Sequence, residues 1–404
     1  MKEMGLPQAG KPEELGFSSS RLDHLSALLE RNVDEGSVPG AVVLIARGGR
    51  LAYSSRFGWR DREEKAAMEF DAIFPIASMT KPLTSVAAMI LAEEGALDLA
   101  FPVAQILPEF ADQRVGIERA PLRRAMTVQD LLRHTSGLTY AQYGESAVHR
   151  LWREAEPMNR NQTNAELSAK LASLPLLFAP GTTWEYGMSS DLLGRIVEVV
   201  SGQSLGEFFR TRITQPLRMA DTGFAASGER AGRVALPQVD RATGSRPPIP
   251  DLTQKAAWQS GGGGLASTAA DYLRFCQMLL NGGELDGARL LAPSSVSLMT
   301  SDHLPPAVLY GPSARERFGA LAPVPENGYG FGLGFAVRTR AGHCPLPGSV
   351  GDYFWGGVHG TYFWIDPAQK LIVVLMLLAP EKRLHYRYLM RRLVYAAIFG
   401  NPPE

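Results

Sequence analysis

"PIASMTKPLTS", residues 75–85, places Ser78 three residues before Lys81, where the apolar helix of "SVAAMILAEEGALDL" is predicted to begin. Residues three apart lie on one face of a helix, so we expect the hydroxyl and the amine side by side. Pro82 agrees with this placement, because proline is tolerated in the first turn of a helix. Free backbone N–H groups at a helix N-terminus would point at whatever the hydroxyl attacks.

This spacing is typical of a serine nucleophile activated by a lysine base, but a serine that merely caps a helix gives the same tetrapeptide. To act as a base, Lys81 needs a pKa that falls from about 10.4 toward 7–8, roughly 4 kcal/mol of interaction with its surroundings. Burial of the amine can supply such a shift. Further residues must decide between the two interpretations.

Composition limits the classes of partner. The 404-residue chain is 45% hydrophobic and carries 41 basic and 41 acidic residues, so its formal net charge is 0. This balance gives no electrostatic reason to expect a nucleic acid or an anionic membrane surface as partner. The N-terminal stretch lacks the apolar segment of a signal peptide, and no apolar stretch approaches the roughly 18 residues of a membrane-spanning helix. We therefore expect a globular cytoplasmic protein.

Cysteine and histidine spacing gives no indication of a metal or another cofactor. Cys276 and Cys344 lie far apart, so two free thiols are expected rather than a structural disulfide. The seven histidines form no H-x-x-x-H pair of the kind that binds zinc. We predict that the protein works without a cofactor.

Strands are predicted at both ends of the chain. "GAVVLIARGGRLAYSSRFG" reads as a β-hairpin, and strand patterns return from residue 328 onward. Residues from about 95 to 250 are rich in helix patterns with many Pro and Gly breaks. The C-terminal strands follow one another closely, so that part of the sheet should be antiparallel. We expect an α+β fold, with one sheet built from both termini and covered by the terminal helices.

The predicted domain organisation is a single catalytic domain over residues 7–402. Its sheet-bearing subregion covers about 7–77 and 255–402, and a mostly helical subregion covers about 78–254. The Pro-rich segment 302–327 is predicted to lie at the rim of the cleft and to set substrate size. Sequence pattern gives no prediction of the oligomeric state.

Two further stretches carry candidate site residues. In "PGTTWEYGMSSDLLG", residues 180–194, a Gly/Thr-rich loop presents Tyr186, and Ser189 or Ser190 is predicted to cap the following helix. In "DYFWGGVHGTYFWIDP", residues 352–367, two glycines interrupt a strand. Glycines inside a strand often mark a close approach of the backbone to a ligand.

Together these stretches resemble the serine β-lactamase and penicillin-binding-protein superfamily, and in particular its family VIII carboxylesterases. The likeness covers nearly the whole chain. Besides "SMTK" and "PGTTWEY", it rests on "LLRHTSGL" at 131–138, "GGGGLASTAADY" at 261–272 and the "YGFGLGF" strand. The resemblance implies a β-lactamase/transpeptidase-like fold and a serine hydrolase.

The resemblance also implies roles for individual residues. Ser78 would be the nucleophile that forms an acyl-enzyme, and Lys81 and Tyr186 would be the proton-transfer pair. The backbone N–H groups of Ser78 and Val358 would form the oxyanion hole. The implied substrate is a small-molecule ester with a short to medium acyl chain.

Two departures from the β-lactamase pattern indicate the substrate class. Met188 stands where these enzymes have Asn, and Trp355 stands where they have the Lys that binds a carboxylate. The residues predicted to bind substrate are Met188, Trp355, Gly356, Gly357 and His359. Of these, Trp355 and Met188 would form an apolar wall suited to a carboxylate-free ester. His359 is alternatively a packing residue.

Other functions stay open on these motifs. An acyltransferase of the statin-side-chain type differs only in whether water or an alcohol accepts the acyl group. A β-lactamase or D-Ala-D-Ala peptidase would use the same serine, and a non-catalytic binding module would keep only the fold.

Three other features are predicted to have no catalytic role. Ser204 in "GQSLG" is predicted to be a helix cap rather than a nucleophile. His134 is predicted to be structural, and the arginines of "YLMRRLVY" are predicted to lie on a solvated helix face.

Overall fold

The computed structural model describes residues 4–240 and 242–401, so the predicted domain boundary at residue 402 lies outside the described residues. The α-helices are α1 (Ser19–Asp34), α2 (Thr80–Glu93), α3 (Val103–Ile106), α4 (Val128–Leu132), α5 (Ala147–Glu154), α6 (Asn164–Ser173), α7 (Ser189–Ser201), α8 (Leu205–Phe209), α9 (Ala269–Leu280), α10 (Pro293–Met299), α11 (Ser313–Phe318) and α12 (Arg383–Ala397). The strands are β1 (Gly40–Arg47), β2 (Arg50–Asp61), β3 (Ala66–Ala67), β4 (Phe74–Pro75), β5 (Arg114–Val115), β6 (Ala120–Pro121), β7 (Thr183–Trp184), β8 (Ala266–Ser267), β9 (Glu284–Leu285), β10 (Ala288–Arg289), β11 (Leu309–Tyr310), β12 (Tyr329–Phe331), β13 (Ala336–Arg338), β14 (Tyr353–Gly356), β15 (Tyr362–Asp366) and β16 (Leu371–Leu377).

One large sheet joins the two ends of the chain. Its strand order is β12-β13-β14-β15-β16-β1-β2-β3, and every neighbouring pair is antiparallel. The N-terminal and C-terminal parts meet where β1 pairs with β16, with Val43 opposite Leu375. The predicted hairpin, the antiparallel C-terminal strands and the sheet shared by both termini are therefore confirmed.

Helices cover both faces of this sheet. Phe363 and Trp364 are neighbours on β15, so their side chains point to opposite faces. The Phe363 ring contacts Tyr272 of α9, whereas the Trp364 ring stacks on Tyr395 of α12. Helix α1 packs beside α12 and against β2. Because both faces are covered, β1 and β16 are buried along their whole length.

A charged cluster lies inside the layer formed by α12 and the sheet. The Asp352 carboxylate is fully buried and accepts hydrogen bonds from Arg338 Nε at 2.8 Å and Arg391 Nη1 at 3.0 Å. Arg391 also donates to the Tyr362 hydroxyl at 2.8 Å. The prediction that the arginines of "YLMRRLVY" lie on a solvated face is therefore wrong for Arg391, because its guanidinium is the counter-charge of a buried carboxylate.

The helical region is joined to the sheet by α2 and by a short strand pair. Helix α2 is buried from Thr80 to Leu91 and packs against α7. Just before α2, β4 pairs with β8, so the start of α2 is fixed beside the glycine-rich loop 260–264. Within the described ranges, no helix combines the length and the apolar character needed to cross a membrane.

Replacement of Asp352 by Asn is expected to lower the free energy of unfolding by about 3–5 kcal/mol, because two buried guanidinium groups lose their counter-charge. Urea unfolding of the wild type and Asp352→Asn measures this loss. The control is Glu326→Gln, which breaks the exposed pair with Arg315 and should cost less than about 1 kcal/mol. A loss of equal size in both variants would contradict this account of the buried cluster.

Candidate active site

Ser78 is presented to solvent by a strained turn. It lies in a short 3₁₀ helix, Ala77–Met79, that leads directly into α2. Ala77 has a φ of +44°, a left-handed conformation that residues other than glycine rarely adopt. Within residues 72–91, Ser78 is the one residue that is not buried. The turn therefore exposes the Ser78 hydroxyl in a segment that is otherwise buried.

Lys81 is buried at 1% exposed, and its amine has three polar neighbours. Nζ lies 2.5 Å from the backbone oxygen of Gly262, 3.1 Å from the Tyr140 hydroxyl and 3.3 Å from Ser78 Oγ. Burial lowers the pKa of Lys81 to about 8, and the negative charge of Asp191 opposes this shift. Near neutral pH the amine therefore has access to both protonation states. The predicted contact between Ser78 and Lys81 is present.

Tyr186 lies just beyond β7 and completes the contact with Ser78. Its ring lies beneath Lys81, with Nζ at 4.8 Å from the ring centroid. The Tyr186 hydroxyl accepts a hydrogen bond from Trp355 Nε1 at 3.4 Å. Burial raises the pKa of Tyr186, and hydrogen bonds with Ser78 and Trp355 oppose the rise. The structure thus brings the three predicted residues Ser78, Lys81 and Tyr186 together.

Tyr140 is a site residue that sequence reasoning missed. It accepts the hydrogen bond from Lys81 and packs edge-on against Tyr186, with 5.5 Å between ring centroids. Tyr140 also lines the cleft that contains Ser78, and burial raises the pKa of its hydroxyl well above the usual range. Its position in "GLTYAQYG" follows the "LLRHTSGL" stretch by two residues. No spacing rule links that loop to Lys81.

Asp191 fixes the loop that holds Lys81. Its Oδ1 atom accepts hydrogen bonds from Ser260 Oγ at 2.5 Å and from the backbone N–H of Gly262 at 3.0 Å. A Cβ atom on Gly262 would lie 2.3 Å from Asp191 Oδ2, and one on Gly261 would lie 2.5 Å from the Ser190 backbone oxygen. The loop therefore needs glycine at these positions. Asp191 was not predicted, although it lies within the quoted stretch 180–194.

The start of α7 differs from the prediction. Its N-cap is Met188, whose side chain makes no capping bond, so neither Ser189 nor Ser190 caps the helix. The Ser189 hydroxyl instead pairs with that of Ser136 at 2.8 Å. This bond ties α7 to the "LLRHTSGL" stretch and so helps to fix the loop that carries Tyr186.

The strand after Trp355 runs beside the chain that carries Ser78. A Cβ atom on Gly357 would lie 2.6 Å from the backbone oxygen of Ile76, and one on Gly356 would lie 2.7 Å from the Arg387 guanidinium. Arg387 also donates to the Gly357 backbone oxygen at 2.6 Å. The two glycines thus permit contacts within the protein, and neither lines the cleft. That they bind substrate stays a prediction from the sequence.

Val358 and His359 follow these glycines and do line the cleft with Ser78. Val358 is 47% exposed. Burial lowers the pKa of His359 to about 4, and the positive charge of Arg160 acts in the same direction. His359 is therefore neutral at physiological pH and presents an uncharged imidazole to the cleft.

Trp355 and Met188 do not form a wall of the cleft. They are 1% and 0% exposed, and neither lies among the residues that line it. Trp355 packs behind Tyr186, with its ring centroid 5.3 Å from that of Tyr186 and 5.1 Å from that of Phe318. The predicted apolar wall is absent from this structure, because both side chains are buried and Trp355 packs against Tyr186 from the interior.

The cleft has a volume of about 560 Å³. Its outer walls come from residues 140–143, 158–161 and 248–258, none of which were predicted as site residues. Segment 302–327, predicted to rim the cleft, instead lies behind Tyr186: its strand β11 pairs with β7, and none of its residues line the cleft. Ser204 is the N-cap of α8, as predicted, and does not line the cleft.

His134 lies next to the site without lining it. Its ring is buried 5.0 Å from the Tyr186 ring, and neither ring nitrogen has a hydrogen-bond partner in the described part of the chain. Burial lowers the pKa of His134 well below its usual range. Its backbone oxygen accepts a hydrogen bond from the Glu185 N–H at 2.9 Å. These contacts fit a supporting position for the loop that carries Tyr186.

A sequence model of the beta-lactamase family matches residues 25–392 of the chain. The chain belongs to the beta-lactamase family. It is 36% identical to Protein Rv1367c of Mycobacterium tuberculosis over 88% of this chain and 90% of the relative. It is 31% identical to Esterase EstB of Burkholderia gladioli over 89% of this chain and 91% of the relative.

Among solved structures, the chain is similar to EstCE1, described as a hydrolase with promiscuous acyltransferase activity. The two share 28% identity and a TM-score of 0.79, over 94% of this chain and 99% of EstCE1. Fold and relatives together identify the chain as a serine hydrolase of the beta-lactamase fold, related to the family VIII esterases. The predicted fold class and enzyme class are therefore confirmed.

Glu185, adjacent to Tyr186, gives a pH-dependent stability prediction. Its carboxyl is buried, Oε1 accepts from Thr139 Oγ1 at 2.9 Å, and Oε2 has no partner in the described ranges. Burial raises the pKa of Glu185 to about 7. Between pH of about 4.5 and 7 the folded chain binds more protons at this group than the unfolded chain, so its contribution to stability falls as the pH rises.

Glu185→Gln is neutral at every pH and should therefore raise the free energy of unfolding at pH 8 by about 2–3 kcal/mol. At pH 5 the same substitution should have little effect. Urea unfolding at both pH values measures the difference, with Glu118→Gln on the exposed surface as control. A stability change that is the same at pH 5 and pH 8 would show that Glu185 does not titrate in this range.

Proposed function

We propose that the chain is a carboxylesterase that hydrolyses small-molecule esters with short to medium acyl chains. Catalysis proceeds through an acyl-enzyme on Ser78, with Lys81 and Tyr186 as the proton relay. The observation that carries this proposal is the 3.3 Å contact between Lys81 Nζ and the exposed Ser78 hydroxyl, at an amine whose pKa burial lowers to about 8. The similarity to Esterase EstB supports the choice of an ester as substrate. A cytoplasmic location stays a prediction from the sequence.

In the first half of the reaction, Ser78 Oγ forms a bond to the ester carbonyl carbon while its proton passes to neutral Lys81. The resulting oxyanion accepts hydrogen bonds from the backbone N–H groups of Ser78 and Val358. The bond from the carbonyl carbon to the alkoxy oxygen then breaks. The leaving alkoxide takes the proton of the Tyr186 hydroxyl, and Lys81 returns its proton to Tyr186.

Deacylation repeats these steps with water as the nucleophile. Water loses one proton to the Lys81 and Tyr186 pair as its oxygen bonds to the acyl carbon. The bond to Ser78 Oγ then breaks, the acid leaves, and the proton returns to Ser78. Tyr140 holds Lys81 Nζ beside Ser78 Oγ throughout, since its hydroxyl accepts a hydrogen bond from the same amine.

Acyl transfer is the second candidate, because EstCE1 is described as a hydrolase with promiscuous acyltransferase activity. An alcohol that replaces water in the second half gives a new ester by the same steps. A β-lactamase or D-Ala-D-Ala peptidase is the less favoured alternative. Trp355, which stands where the resemblance places a carboxylate-binding lysine, is buried and cannot reach a substrate in the cleft.

Hydrolysis of 4-nitrophenyl butyrate at pH 8 tests the proposal. Ser78→Ala should lower kcat/KM by roughly 10⁴-fold or more, because the acyl-enzyme can no longer form. Lys81→Met should lower it by about 10²–10⁴-fold through loss of the base. Ser204→Ala is the control and should retain wild-type activity. Full activity of Ser78→Ala would place the nucleophile elsewhere.

The pH dependence tests the role of Lys81 as base. Activity should rise through a pH of about 8, where Lys81 loses its proton, although the midpoint belongs to the coupled Lys81 and Tyr186 pair. Asp191→Asn keeps an oxygen for Ser260 and Gly262 but removes the charge that raises the pKa of Lys81. The midpoint of the kcat/KM profile should therefore move to lower pH.

The control for this shift is Asp251→Asn, which removes a carboxylate from the cleft rim without altering the contacts of Lys81. Its profile should coincide with that of the wild type. If the midpoint of the kcat/KM profile of Asp191→Asn moved to higher pH, or did not move, the rise of activity with pH could not be assigned to Lys81.

A further inference from the structure

Arg160 is a cation without a counter-charge at the wall of the catalytic cleft. It lines the same cleft as Ser78, His359 and Val358. In the described part of the chain, Arg160 has neither an ion pair nor a hydrogen bond. Nearby arginines do have partners: Arg153 pairs with Glu145 at 2.7 Å. The guanidinium of Arg160 is therefore available to a group that enters the cleft.

The Arg160 side chain lies at the edge of the cleft, where it is exposed to solvent and only partly covered by protein. Burial lowers the pKa of Arg160, and among the described residues no carboxylate raises it again. The charge of Arg160 also reaches His359, which directly follows the proposed oxyanion residue Val358. Arg160 and the residues next to the proposed oxyanion N–H group therefore line one cleft.

Other charged groups of the cleft do not neutralise Arg160. Asp191 is buried and holds Ser260 and the Gly262 loop, close to the charge of Lys81. Asp251 lies at the rim and accepts hydrogen bonds from the Thr253 backbone and hydroxyl. Lys255 also lines the cleft and adds a second positive charge. The accessible cations of the wall thus favour an anion.

We propose that Arg160 binds a carboxylate on the substrate, so that the preferred esters of this enzyme carry a negative charge away from the scissile bond. A guanidinium recognises a carboxylate through two parallel N–H···O bonds, which fixes the position of the substrate as well as its charge. The proposal rests on the proposed esterase function and names its substrate class. It replaces the expectation of a carboxylate-free ester, whose basis was a cleft wall of Trp355 and Met188.

The test compares matched esters with and without a carboxylate. On the acyl side, the pair is mono-4-nitrophenyl adipate and 4-nitrophenyl hexanoate. On the alcohol side, the pair is 3-carboxy-4-nitrophenyl butyrate and 4-nitrophenyl butyrate. For each pair the readout is the ratio of kcat/KM for the charged ester to that for the neutral ester, after subtraction of the rate with Ser78→Ala.

The wild type should prefer the charged ester of at least one pair, and the pair that shows the preference tells which side of the substrate meets Arg160. Arg160→Gln should lower that ratio by roughly 2- to 5-fold, as expected for a charge pair at an exposed site, while hydrolysis of neutral esters persists. Arg160→Lys keeps the positive charge but loses the paired N–H donors, so it should retain only part of the preference. Arg392→Gln, an exposed arginine on α12, is the matched control and should leave the ratio unchanged.

Ionic strength gives a second readout, since the wild-type ratio should fall as salt rises and the Arg160→Gln ratio should not. Equal ratios in the wild type and Arg160→Gln for both ester pairs would overturn the inference while the esterase function stands. Failure to hydrolyse any of the four esters would overturn the proposed function and this inference with it.

Discussion

The chemistry of the site depends on keeping the amine of Lys81 out of water. A lysine in solvent is protonated at neutral pH and cannot take a proton from a serine. Here the amine is enclosed by α2 and by the rings of Tyr140 and Tyr186, with Nζ 5.5 Å and 4.8 Å from their centroids. Desolvation favours the neutral form of Lys81 and lowers its pKa, and the negative charge of Asp191 limits the size of this shift. The balance of the two leaves the amine able both to accept and to return a proton.

The fold maintains this balance with contacts between segments that are distant in sequence. Strand β4 pairs with β8 and so fixes the start of α2 beside loop 260–264. That loop approaches closely enough to hold Lys81 because Gly261 and Gly262 have no side chains to collide with α7. The sheet contributes from the other side, where Gly357 lies against Ile76. These contacts enclose the amine in a packed core, and that enclosure is what lowers the pKa of Lys81.

These distances also explain how much could be predicted from the sequence. Ser78 and Lys81 are neighbours on one helical turn, so their contact followed from spacing alone, and the sheet followed from strand patterns at both termini. Tyr140 and Gly262 lie 59 and 181 residues from Lys81, and no local periodicity relates them to it. The motif around Trp355 predicts a residue of the cleft. A motif gives the order of residues along a strand, but it does not show which side chains a neighbouring helix covers.

The catalytic residues and the residues of the outer cleft wall lie on different kinds of secondary structure. Lys81 and Tyr186 are held by helices, strands and buried rings, whereas the outer cleft wall is formed largely by irregular segments such as 158–161 and 248–258. Backbone in such loops changes without disturbing a packed core, so substrate preference can change while the relay stays intact. Arg160 belongs to this outer wall. Its unpaired charge is tolerated there because the side chain is exposed to solvent.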